Sequence, residues 1–172
     1  MKLVGTHENI VDMIEISVLC QNSYGLVSHY ISDKSFSMYL QEVDILDTAF
    51  VRDFTYGLAQ GVCKIHDQGI LHNNLTTSNV LLRSCNNQPV IQNFSWSCRA
   101  ESAHLLTIHQ TEYFKDALHL PGGVRKGKEV PSKTSDLFGF GHILQRICMH
   151  ANGYKNQFAN ILSLIAFVWK EN

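Results

Sequence analysis

The sequence predicts an α+β fold in which a pair of strands opens the chain and a mainly helical body follows. Two patterns carry that prediction. Residues 10–19 and 25–31 alternate apolar and polar side chains, the period of a strand whose side chains point to opposite faces. From residue 47 to 66, Phe50, Phe54, Leu58, Val62 and Ile65 recur at steps of three and four, the period of a helix that buries one face.

Each element follows from its local residues. Gln21-Asn22-Ser23-Tyr24 is polar and reads as the turn between the two strands. Residues 35–42 form a short expected helix with Phe36, Tyr39 and Leu40 on one side. Asp47 is placed to cap the long helix, because its carboxylate can accept the unpaired backbone N–H groups of the first turn. Val80-Leu81-Leu82 and Pro89-Val90-Ile91 flank the polar Ser84-Cys85-Asn86-Asn87-Gln88, a hairpin that would carry Asn79 and Asn93 toward one cleft. Periodicity fades between residues 97 and 133, where loops are expected. It returns over residues 135–149, a second helix against which the first should pack.

Composition narrows the class of protein. Hydrophobic residues make up 45% of the 172 and charged residues 17%, with 3 Pro and 11 Gly, as in a globular domain and unlike a low-complexity chain. The net charge of −1 provides no basic footprint for nucleic acid, and Arg125-Lys126-Gly127-Lys128 reads as a solvated loop. The 5 cysteines are odd in number with no C-x-x-C spacing, the usage of a reduced, intracellular chain. No apolar stretch suited to a secretion signal follows Met1, and the most apolar run, residues 161–169, falls far short of the ~20 residues that span a bilayer. A cytoplasmic protein without a membrane span is expected. The 9 histidines include no H-x-x-x-H or H-E-x-x-H pair, which argues against a zinc enzyme.

Four motifs then occur in order. His72-Asn73-Asn74-Leu75-Thr76-Thr77-Ser78-Asn79 follows the form H-x-D-L-x-x-x-N, with Asn74 in the place of the acid. Gly61-Val62-Cys63-Lys64-Ile65-His66-Asp67-Gln68-Gly69 leads into it, Gln92-Asn93-Phe94-Ser95 follows, and Ser135-Asp136-Leu137-Phe138-Gly139-Phe140-Gly141 comes later. At these spacings the set resembles the eukaryotic protein-kinase superfamily, with Asn93-Phe94-Ser95 where kinases carry Asp-Phe-Gly. His7-Glu8-Asn9-Ile10-Val11, Gly25-Leu26-Val27-Ser28-His29-Tyr30-Ile31 and the tail ending Trp169-Lys170-Glu171-Asn172 extend the resemblance to both ends. Thr76, where serine/threonine kinases usually carry Lys, is nearer the tyrosine-kinase-like groups.

The resemblance implies a protein-kinase-like fold consisting mostly of the helical C-lobe, with remnant N-lobe strands and hinge. Residues 1–172 would be a partial domain: 1–31 the remnant strands and hinge, 32–172 a C-lobe incomplete at its end. It also assigns roles. Asn74 stands at the catalytic base position and Asn79 at the residue that holds one Mg²⁺ and braces the loop. Asn93 replaces the acid that links Mg²⁺ to the phosphates. Ser28 falls at the gatekeeper position, Tyr30 in the hinge and Leu81 beneath the adenine ring. His72 and Phe94, with Met13, match a stacked hydrophobic column, and Asp136 the buried acid that holds the catalytic loop. Gly122, in Leu120-Pro121-Gly122, replaces the Glu of Ala-Pro-Glu.

Those replacements bear on function. Phosphoryl transfer needs a carboxylate to accept the proton of the attacking hydroxyl and an anionic ligand for Mg²⁺. An amide is no base near neutral pH, so Asn74 and Asn93 remove both. The expectation is a catalytically inactive pseudokinase that works in signalling by binding a protein partner, one that covers the exposed face around Met13 and residues 16–19. No resident cofactor is expected, and ATP and Mg²⁺ would be held weakly if at all. The alternative is a fragment of an ATP-dependent protein kinase acting on Ser, Thr or Tyr of proteins. Thr107, Thr111 and Tyr113 fall in the activation-segment region, where phosphorylation would be regulatory.

Overall fold

A computed structural model of the chain describes residues 4–20, 23–106 and 117–150. In chain order these form β1 (Met13–Cys20), β2 (Ser23–Ser28), α1 (Phe36–Glu42), α2 (Thr48–Asp67), β3 (Ile70–Leu71), β4 (Val80–Leu82), β5 (Pro89–Ile91), β6 (Cys98–Arg99), α3 (Gly122–Arg125) and α4 (Lys133–His150). The strands make three separate antiparallel pairs, β1 with β2, β3 with β6 and β4 with β5. Helices and small sheets together make an α+β fold. Of the expected turn Gln21-Asn22-Ser23-Tyr24, Ser23 and Tyr24 instead open β2, where they pair with Cys20 and Val18, while residues 21–22 and the segments 107–116 and 151–172, with Thr107, Thr111, Tyr113 and the tail motif, lie outside the described residues.

The core is built on α2. Asp47 caps it, its Oδ1 accepting the Phe50 N–H at 2.9 Å. Val51, Phe54, Leu58, Val62 and Ile65 are buried on one face and share a hydrophobic cluster with Phe36 and Leu40 of α1, Val80, Leu82 and Ile91 of the β4–β5 hairpin, and Phe140, Ile143, Leu144 and Ile147 of α4. Phe36 meets Phe54 with ring centroids 4.2 Å apart, and Tyr39 meets Phe50 at 5.1 Å. Aromatic rings at these separations add to the burial itself.

The N-terminal segment departs from expectation. The alternation from residue 10 predicts a strand over 10–19, but β1 starts at Met13 because Ile10 and Val11 are used elsewhere. Ile10 forms a parallel bridge with Ile91, the Ile91 N–H donates to Asn9 O at 2.8 Å, and the Val11 N–H donates to Ile91 O at 2.9 Å. Asn9, buried, adds a side-chain bond from Nδ2 to Pro89 O at 2.9 Å. Two glycines of α2 make room for this. A Cβ at Gly57 would lie 2.8 Å from Asn9 Nδ2, and one at Gly61 would lie 2.9 Å from Ile91 Cδ1 and 3.0 Å from Asn9 O.

Past residue 12 the chain leaves the core. The β1–β2 hairpin exposes Ile14, Ile16, Val18, Leu19, Tyr24 and Leu26, so neither of its faces is covered. Residues 97–133, expected to be loop, hold β6, a 3₁₀ turn at Ala100–Leu105 and the short α3. β6 forms because its backbone pairs with β3: Cys98 lies opposite Leu71 and Arg99 opposite Ile70.

Candidate functional site

The loop between β3 and β4 is clamped from below by one carboxylate. Asp136, in the first turn of α4, is fully buried. Its Oδ2 accepts the His72 N–H at 2.8 Å and faces His66 Nε2 at 3.0 Å, while Oδ1 accepts the Asn73 N–H at 2.7 Å. A buried carboxylate needs its charge satisfied by donors, and three are present. The clamp therefore fixes the backbone immediately before Asn74.

Asn73 is held by more than its backbone. Its φ of 60° lies in the left-handed region, which asparagine tolerates better than most side chains. Its Nδ2 donates to Trp96 O at 3.0 Å, and Ser97 Oγ donates to His72 O at 3.2 Å, so the loop is tied to the stretch ahead of β6.

His72 is fully buried, and its tautomer follows from its partners. Nε2 faces Gln92 O at 3.0 Å and must carry the proton, whereas Nδ1 accepts the Asn74 N–H at 3.2 Å. The ring is neutral in this arrangement. Burial pushes its pKa below the usual histidine value, against the opposing pull of the Asp136 charge and the Gln92 bond. The ring meets the edge of Phe94, with centroids 4.8 Å apart and planes at 68°. Met13 is not part of the core that Phe94 packs against; it opens β1, half-buried and opposite Ser28.

Three asparagines are brought together above this base. Asn79, closing a 3₁₀ turn, donates from Nδ2 to Asn74 O at 2.9 Å. Asn93, at a left-handed φ of 64°, donates from Nδ2 to Asn79 Oδ1 at 3.1 Å. Ser95 Oγ in turn donates to Asn93 Oδ1 at 2.7 Å. A directional relay thus runs from Ser95 through Asn93 and Asn79 to the backbone of Asn74. It holds no formal charge. Backbone support comes from the Gln92 N–H, which donates to Asn79 O at 2.9 Å.

The remaining predicted residues are placed apart from the relay. Leu81 sits half-buried on β4 opposite Val90, and Leu82 N–H donates to Lys34 O at 3.1 Å, so the segment that leaves β2 runs against β4. Ser28 and Tyr30 are both exposed, and Tyr30 is hydrogen-bonded to Asp33, whose carboxylate raises its pKa. Sequence reasoning assigned no role to Asn9, His66 or Asn73. Their partners lie 80, 70 and 23 residues away along the chain, and no local pattern announces them. Among the described residues, no cluster of three or more His, Cys, Asp or Glu side chains is arranged to hold a metal ion. All 5 cysteines are free.

A loop clamped by a buried Asp is thus followed by a hairpin that returns Asn93 beside Asn79. The family model for the protein kinase domain matches residues 1–166, and the chain belongs to that family. It is 26% identical over 108 residues to a Dictyostelium discoideum protein named probable inactive serine/threonine-protein kinase samkD. That alignment covers 61% of this chain and 19% of the relative, so the chain aligns with about a fifth of that protein's length. Among the described residues, no helix is long and apolar enough to cross a membrane.

Proposed function

We propose that this kinase-domain chain is a pseudokinase, nearer the tyrosine-kinase-like groups, that acts in the cytoplasm by binding a protein partner. The observation that carries the reading is the Asn93–Asn79 hydrogen bond. Where an active kinase presents two oxygens to Mg²⁺, here an amide N–H donates directly to Asn79 Oδ1 at 3.1 Å. A divalent cation prefers anionic oxygen ligands, and a neutral amide pair already bonded to itself competes poorly for one. With Asn74 also an amide, no base remains at that position to take a hydroxyl proton. The Dictyostelium relative is named a probable inactive kinase, which supports this reading.

In this reading residues 1–31 are remnant N-lobe strands and hinge, and the rest is C-lobe. The partner covers the apolar β1–β2 hairpin, whose Ile16, Val18 and Leu26 are all more than half exposed. ATP and Mg²⁺ would be weak ligands of a cleft bounded by Ser28, Tyr30 and Leu81.

A thermal-shift titration with ATP, with and without Mg²⁺, tests the proposal, because a ligand selective for the folded state stabilises it by roughly 2.7 kcal/mol at a hundredfold excess over Kd. The expected result is a cooperative transition that nucleotide leaves in place. A Mg²⁺-dependent rise in Tm would overturn the inactive reading in favour of an ATP-dependent enzyme. The Asn74→Asp/Asn93→Asp double variant should gain Mg²⁺ binding, since it restores the acid at position 74 and puts a carboxylate beside Asn79 at position 93.

A further inference from the structure

A groove distinct from the amide relay lies on the other side of the loop, between residues 75–77, residues 118–119 and the face of α4. Its volume is about 360 Å³. Gly139 lets the loop settle there, since a Cβ at that position would lie 2.9 Å from Leu75 O. Thr76, Thr77, His119, His142 and Arg146 supply the polar lining, over Leu75 and Ile143. Among the described residues, no carboxylate lines the groove. Arg146 is exposed and its guanidinium is in no ion pair among the described residues.

Two hydroxyls, the His142 ring and a guanidinium fork line one concavity, a donor set matched to an oxyanion. A phosphate monoester brings three oxygens and −1.5 to −2 charges near neutral pH, and an arginine fork binds such a group in bidentate fashion. His142 is fixed by Phe138, whose ring meets it edge to face at 4.9 Å. His119 is fixed through Nε2 to Asn73 O at 3.4 Å. Burial, and after it the nearby His142, hold the His119 pKa below the usual histidine value. Leu118, 69% exposed at the rim, offers an apolar contact next to the charged one.

We propose that this groove binds a phosphorylated side chain of a protein partner, with Arg146 and His142 taking the phosphate oxygens, Thr76 and Thr77 donating to them, and Leu118 contacting a flanking apolar residue. The proposal does not depend on whether the amide-bearing cleft takes nucleotide, so the ATP titration and the experiment below can fail separately.

The test is fluorescence anisotropy on the full chain with a labelled short peptide carrying phosphoserine next to leucine in an alanine background. The expected result is binding at least tenfold tighter than for the unphosphorylated peptide, competed by inorganic phosphate, and weakened at least tenfold by Arg146→Gln. His142→Gln should weaken it less. Arg83→Gln removes a charge elsewhere on the surface, and should leave binding unchanged. Equal affinity for the two peptides overturns the proposal, as does phosphopeptide binding that survives Arg146→Gln. Equally tight binding of glycerol phosphate overturns the peptide assignment, reducing the groove to a site for any phosphate ester. Each variant is first melted; because Arg146 is exposed, Tm should stay within the wild-type range, which separates loss of binding from loss of fold.

Discussion

Asp136 and His72 set the chemistry of the loop in opposite ways, one by charge and one by neutrality. Asp136 satisfies three buried donors at once, so replacing it with Ala strands His66, His72 N–H and Asn73 N–H together. Each abandoned buried donor costs about 1–3 kcal/mol. Asp136→Ala should therefore destabilise the fold by at least about 3 kcal/mol in urea denaturation, and Asp136→Asn by less, since its carbonyl oxygen still accepts. His72 is buried neutral, burial holding its folded pKa below the ordinary histidine value of about 6.5. Below pH 6.5 the unfolded chain takes up a proton that the folded chain refuses. Its contribution to stability is thus complete above that value and is lost as pH falls toward the folded pKa, at up to about 1.4 kcal/mol per pH unit. Denaturation midpoints measured from pH 7.5 to 5.0 should decline for the wild type, and decline less steeply for His72→Gln.

At the scale of elements, α2 shows where sequence periodicity informs and where it stops. The apolar steps from Phe50 to Ile65 and the Asp47 cap were legible because a helix repeats its buried face every three or four residues. The β4–β5 hairpin was legible to the residue, as two apolar triplets around a polar turn. Gly57 and Gly61 were not, because in a sequence they look like weak points of a helix. In the fold they form the flat side on which Asn9 and Ile91 rest. On propensity alone a Gly-to-Ala change within a helix gains about 1 kcal/mol. Here contact should win: Gly61→Val should cost about 1–3 kcal/mol by overpacking against Ile91, read as a lower urea midpoint at unchanged slope. The asparagines of the site were legible through motif spacing, whereas their mutual bonding was not. Nothing in the letters of Asn79 and Asn93 says that the two amides meet.

Across the whole molecule, burial is uneven. The core joins α1, α2, α4 and the β4–β5 hairpin, while among the described residues β1 and β2 pair only with each other and keep their large apolar side chains in solvent. A two-stranded hairpin without a covering layer is marginal in water, and an exposed apolar strand edge invites association. The Ile16→Lys/Leu26→Thr double variant should raise the concentration at which the chain stays monodisperse in light scattering and shift Tm by only a degree or two, because neither residue belongs to the core. Strand alternation was legible there, but an exposed face around Met13 and residues 16–19 was expected only through the kinase resemblance, since periodicity records faces and not neighbours. The Asp136 clamp has a kinetic counterpart. The amide protons of His72 and Asn73 are bonded to a buried carboxylate on another helix, so releasing them requires the loop and α4 to separate. In deuterium these two should be among the last backbone protons to exchange, at the rate of global opening, while β1 and β2 exchange long before. The opening of this loop is then timed by the unfolding of the entire core.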